Sequence, residues 1–145
     1  MLFTIGYEGV SPEALIETLR DHGVEVLVDV RERAQSRRAG FSKTALRLAL
    51  EEAGLEYRHL RALGTPPVLR KPYKLDHDFA ALERGYLAHL AAQEEALNQL
   101  GNWAREARVC LLCYEAEPTL CHRSLIGRRL MDLRWVDGVE SLRAG

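Results

Sequence analysis

Three short apolar runs, LFTIGY (2–7), VEVLVDV (24–30) and RVCLLCY (108–114), constrain this chain more than any other feature. Each has the length and branched composition of a buried strand, and amphipathic stretches with helix-boundary residues follow them. SPEALIETLRDHG places Ser11 as N-cap, Pro12 at the first helical position, Glu13 in the first turn and Gly23 as terminator. Ala14, Leu15, Ile16 and Leu19 form its apolar side. SKTALRLALEEAG (42–54) repeats this grammar, with Ser42 as cap and Gly54 as stop. LEYRHL (55–60) alternates like a third strand. A loop carrying GTPP and KPY is expected next, then one long helix over about 77–101 ending at Gly101. RVCLLCY is the most uniformly apolar run and belongs at the sheet centre. TLCHRSLIGRRLMDL reads as a last helix, and GVESL as an edge strand.

Successive strand–helix units joined by right-handed crossovers predict an α/β fold. It is an open, mostly parallel sheet flanked by helices in three α/β/α layers, and 145 residues suit a single domain. Ligands of such sheets bind beyond the carboxyl ends of the strands. The loops there are GYEGVS, RERAQSRRAGF, HLRALGTPP and YEAEPTLCHRS, which are expected to meet at one edge. The net charge of −1 argues against bulk electrostatic binding to nucleic acid, so any basic site is local. No apolar run approaches the roughly 20 residues of a membrane span, and MLFTIGYEG lacks a signal-peptide layout. Three cysteines are an odd set, which reads as reduced thiols in a cytoplasmic protein.

The stretch LVDVRERAQSRR turns abruptly from apolar strand to arginine-rich loop. Asp29 and Arg31, two apart in an extended segment, point to the same face. They form either a structural ion pair or a carboxylate that aims a guanidinium at an anion, and both can hold together. Ser36, Arg37 and Arg38 precede the helix starting near Ser42, a setting suited to phosphate or carboxylate. A merely solvated basic loop is the plain alternative. Tyr57 and His59 share one face of the third strand, and His59 either carries a proton or makes a structural hydrogen bond. Tyr7 and Glu8 add an aromatic face and a carboxylate at the same rim.

CYEAEPTLCHRS is the richest stretch. Cys113 ends a strand, Glu115 follows, and Pro118-Thr119 opens a helix carrying Cys121, His122 and Arg123. A thiol in a first helical turn beside an arginine is activated, so Cys121 reads as a nucleophile with His122 or Glu115 as proton partner. A packed Cys121 and a structurally bonded His122 are the alternative. Cys110 and Cys113 spell C-x-x-C, but residues three apart on a strand face opposite sides and cannot share a metal. No metal and no cofactor is therefore expected. The cysteine-to-arginine spacings fit no phosphatase loop, and no P-loop is present.

TIGYEG (4–9), LVDVRERAQSRRAGF (27–41), YRHLRALG (57–64) and CYEAEPTLCHRSLI (113–126), in this order, resemble the domain of unknown function 488 family. The likeness spans nearly the whole chain. It implies a compact α/β domain with a shared site and no settled reaction. The motif positions are Thr4, Gly6, Asp29, Arg31, Ser36, Arg37, Phe41, Tyr57, His59, Gly64, Cys113, Glu115, Cys121, His122 and Arg123. Ala34 departs from the family's usual proline, which leaves the direction of Arg37 less fixed. A fainter likeness to rhodanese-type domains, in the DVR and the cysteine-bearing loop, is analogy only.

These readings point to a small enzyme, a hydrolase or group transferase, acting on an anionic, phosphate-bearing nucleotide or nucleic-acid component. Arg31, Arg37 and Arg123 would hold the anion, with Tyr7 and Tyr57 stacking on a base or sugar. Glu8, Glu115, His59 or His122 would move protons. A non-catalytic anion-binding module and Cys121-dependent thiol chemistry are the alternatives. The apolar face of the 77–101 helix packs either on the sheet or on a second copy in a homodimer.

Overall fold

The structure, a computed structural model, describes residues 1–144. Its strands are β1 (Leu2–Gly6), β2 (Val26–Asp29), β3 (Glu56–His59), β4 (Val109–Cys113) and β5 (Val139–Leu142). The α-helices are α1 (Pro12–Asp21), α2 (Lys43–Glu52), α3 (Pro67–Asp76), α4 (Phe79–Ala91), α5 (Glu94–Glu106) and α6 (His122–Asp132). The strands form one all-parallel sheet in the order β3-β2-β4-β1-β5. Every residue of β1, β2 and β4 is buried, which is why these runs are continuously apolar.

The strand period of two divides the core. Val26, Val28, Val109 and Leu111 face α4, α5 and α6, whereas Phe3, Ile5, Leu27 and Leu112 face α1 and α2. The result is the three-layer α/β/α architecture, with β4 at its centre. None of the described helices is long and apolar enough to cross a membrane.

Local signals act as expected in the first half. The Ser11 hydroxyl accepts from the Ala14 N–H at 3.1 Å, and Gly23 and Gly54 take positive φ of 67° and 83° after α1 and α2. Ser42 caps α2 by position, but its hydroxyl bonds the Ser36 backbone instead, accepting at 3.1 Å and donating at 3.2 Å. It thereby ties the arginine loop to the helix start.

Residues 65–106 depart from the sequence reading. The GTPP–KPY region is not a loop: α3 begins at Pro67, whose fixed φ suits a first helical position. Pro72 lies inside α3, and the helix is held by packing of Leu69 against α4 at Gly85. The single long helix is two, α4 and α5, parted at Ala92-Gln93 by tight bonds from these amides to the His89 and Leu90 carbonyls. The turn brings Tyr86 and Leu90 together with Leu97 and Leu100 on the sheet, a gain that no breaker residue announces. Gly101 is not a terminator. It sits inside α5 against the Trp135 ring, where a Cβ would overlap the indole.

The connections position the site. β1 and β2 lead to α1 and α2 on one face, while β4 leads to α6 on the other. The chain therefore leaves β4 and both its neighbours in opposite directions, which opens a crevice beyond the β4 carboxyl end. β1 and β4 stay joined past their ends, through Tyr7 N–H to the Cys113 carbonyl (3.1 Å) and Glu8 N–H to that of Tyr114 (2.8 Å). Gly6 permits this approach, since a Cβ there would run into the Glu115 carbonyl.

Candidate functional site

All four strand-end loops reach one cleft of about 440 Å³ above β4. Its wall includes Tyr7 from the loop after β1, Arg31 and Arg37 after β2, Thr65 after β3, and Glu115 and His122 after β4.

Asp29 and Arg31 explain how one arginine is set in place. Asp29 is fully buried and accepts from the Arg31 N–H (3.1 Å), Nε (2.9 Å) and Nη2 (2.7 Å), and from the Tyr57 hydroxyl (2.5 Å). Arg31 Nη1 donates to the Phe41 carbonyl (2.8 Å) and the Tyr7 hydroxyl (3.2 Å). Most of the guanidinium donors are thus spent inside the protein, and one hydrogen on Nη2 is left for the cleft. Burial opposes the charge of Arg31, but the hydrogen bond and charge of Asp29 outweigh it and hold the arginine protonated. Burial and the Asp29 charge raise the Tyr57 pKa, so this hydroxyl remains a donor. Tyr57 braces Asp29 and does not line the cleft. Tyr7 is buried and stacked on Phe41 at 4.6 Å, so it offers no open face. The half-exposed ring at the rim is Tyr114, whose edge meets Tyr7 at 5.4 Å.

The arginine loop separates into structural and free cations. Arg38 donates to the Tyr7 (2.6 Å) and Val10 (2.5 Å) carbonyls and lashes the loop to the end of β1. Arg37 is exposed at the cleft and, among the described residues, makes no ion pair. The Ser36 hydroxyl accepts from the Arg38 N–H (3.1 Å), and Ser36 and His59 line a neighbouring groove of about 1220 Å³ rather than the cleft. His59 Nε2 donates to the Arg31 carbonyl at 2.7 Å, a structural bond. Sequence reasoning gave Arg33 of the arginine loop no role and missed Arg70 and Lys74 in the cleft wall. Arg70 and Lys74 stand four apart in RKPYK, one face of a helix that the sequence reading left as loop.

The loop after β4 is clamped from beneath. Arg123 is fully buried and donates to the Glu115 and Ala116 carbonyls and to Cys113 Sγ at 3.0 Å, so it is no surface anion ligand as expected. Burial lowers its pKa. Cys121 occupies the N-cap of α6, not its first turn, and is almost wholly buried behind Cys113. The structure brings the Cys113 and Cys121 sulfurs to bonding distance, so the pair is a disulfide when oxidised and two adjoining thiols when reduced as the sequence reading expects, while Cys110 lies free in the opposite core layer. His122 Nε2 donates to the Val30 carbonyl at 2.7 Å while Nδ1 lies 3.7 Å from Cys121 Sγ. Burial pushes this histidine down to about 4, so it is neutral. Cys113, Cys121 and His122 together present ligand-type atoms within 4.8 Å of one another.

Two carboxylates remain. Glu8 accepts from the Ala116 N–H at 3.0 Å and braces the same loop from the rim. Glu115 lines the cleft half-buried, and burial raises its pKa, with Arg123 opposing and Glu8 reinforcing the shift. Of the expected acid–base groups, Glu115 alone combines cleft exposure with a carboxylate engaged by no protein cation.

No curated protein and no solved structure matches the chain. The family model described as Domain of unknown function DUF488 matches residues 11–130, more than four-fifths of the sequence. The matched span holds the arginine loop, the Asp29–Tyr57 brace and the whole β4–α6 connection, and the chain belongs to the DUF488 family.

Proposed function

We propose that the protein is a small hydrolase or group transferase acting on an anionic, phosphate-bearing substrate of the nucleotide or nucleic-acid class. The observation that carries this reading is the surplus of cations in one cleft of a chain whose net charge is −1. Arg31, Arg33, Arg37, Arg70 and Lys74 line it against Glu32 and Glu115. Clustered guanidinium groups at strand carboxyl ends bind phosphate through charge-assisted, bidentate hydrogen bonds. Arg37 and Lys74 take the anion, Tyr114 offers its exposed ring to a base or sugar, and Glu115 moves the proton. Asp29, Tyr57 and His59 fix the floor on which Arg31 stands.

Calorimetric titration with ADP and with inorganic phosphate tests the reading. Saturable binding that weakens with salt and falls about tenfold in Arg37→Ala, roughly 1.4 kcal/mol, is expected. Glu115→Gln should then retain binding and lose turnover of phosphate esters. Binding that survives with no turnover in the wild type would select a non-catalytic anion-binding module instead. Absence of saturable binding at low ionic strength refutes both.

A further inference from the structure

We propose that Cys113, Cys121 and His122 form a centre for one divalent, borderline-soft cation of the zinc type, with an open fourth position facing the cleft. This goes beyond the anion-binding reading and does not depend on it. Cys110, which lies in the opposite core layer, has no part in it.

Three features carry the inference. The first is the orientation of His122. Its Nε2–H donates to the Val30 carbonyl at 2.7 Å, which leaves Nδ1 as an unprotonated lone pair, and that atom points at Cys121 Sγ from 3.7 Å. A ring held by a backbone carbonyl through one nitrogen while the other faces thiols is how proteins orient a metal-binding histidine.

The second is a donor aimed at one of the sulfurs. Arg123 is fully buried, and among the described residues it forms no ion pair with a carboxylate. Its Nη1 donates instead to Cys113 Sγ at 3.0 Å. A hydrogen bond from beneath onto a ligand atom is the outer-shell support that holds a metal-binding thiolate in place.

The third is spacing. The Cα atoms of Cys113 and Cys121 stand 7.4 Å apart. This is wider than the roughly 4.4–6.8 Å that a bridged pair usually spans, and suits two thiolates sharing an ion. In the metal-bound form each thiol loses its proton to solvent and both sulfurs bind the cation, with no S–S bond between them. Two thiolates and an imidazole are a ligand set found in catalytic zinc sites that keep one position open. Cys113 and His122 both line the cleft, and the Glu115 carboxylate lies 3.7 Å from Cys113 Sγ. The open position therefore meets the same space as the basic side chains.

The full-length protein, purified without chelator, is analysed for bound metal by mass spectrometry. After reduction and metal removal it is then titrated with cobalt(II). One equivalent of metal per chain is expected, with thiolate-to-cobalt charge-transfer absorption that saturates at one equivalent. Cys110→Ser should keep the absorption and stoichiometry, and Cys113→Ser and His122→Ala should lose them. The wild-type titration does not require the variants to fold. Reduced wild-type protein that gives no charge-transfer band overturns the proposal. So does a freshly purified chain that carries no metal, shows a single titratable thiol when denatured, and weighs two hydrogens less than its sequence.

Discussion

Removing the Asp29 carboxylate should destabilise the protein more than any surface change in the cleft. Asp29→Leu strips the partner from Arg31, which is 7% exposed, and from the Tyr57 hydroxyl. It deletes a bidentate ion pair at 2.7–2.9 Å and leaves a guanidinium buried without a counter-charge. Breaking one side of such a pair costs about 3–5 kcal/mol. That is a fifth or more of a typical domain stability of roughly 5–15 kcal/mol. The paired substitution Asp29→Leu with Arg31→Met removes both charges, but strands the Phe41 carbonyl and the Tyr7 and Tyr57 hydroxyls, each worth about 1–3 kcal/mol when buried unbonded. Losses from the two single changes should therefore exceed the loss from the double by about 2 kcal/mol, measured by urea unfolding of all four proteins with a common slope. Additivity within about 0.5 kcal/mol, or an Asp29→Leu cost under about 1 kcal/mol, refutes the buried-pair reasoning.

Gly6→Ala places a methyl group against the Glu115 backbone, so it should cost about 1–3 kcal/mol and open the β1–β4 junction, read by thermal unfolding and by hydrogen exchange at Tyr7 and Glu8. Leu111→Ala, at a wholly buried position in the central strand, should cost about 2–5 kcal/mol in denaturant, and a cost near zero would contradict the sheet order. Arg38→Ala frees the arginine loop from the Tyr7 and Val10 carbonyls, and limited proteolysis should then cut within residues 32–40 faster than in the wild type.

The sequence alone carried the layer architecture, because its signals are local. The runs VLV (26–28) and VCLLC (109–113) have no polar face to show solvent, so as strands they must be covered on both sides. Ser11, Gly23 and Gly54 mark helix ends through their own hydroxyl or their own φ. The same period of two set Cys110 and Cys113 on opposite faces and paired Asp29 with Arg31. Tertiary structure decided the remainder. Whether an arginine is a ligand or a clamp depends on which carbonyls surround it: Arg37 lies open while Arg38 and Arg123 are consumed by backbone acceptors 7–31 residues away. The break at Ala92-Gln93 and the close packing of Gly101 on Trp135 answer to the shape of the sheet beneath them, not to any residue at the spot. Most of all, the meeting of Arg31, Arg37, Arg70 and Glu115 above β4 follows from strand order, and strand order is fixed by long-range burial that no short stretch of sequence contains.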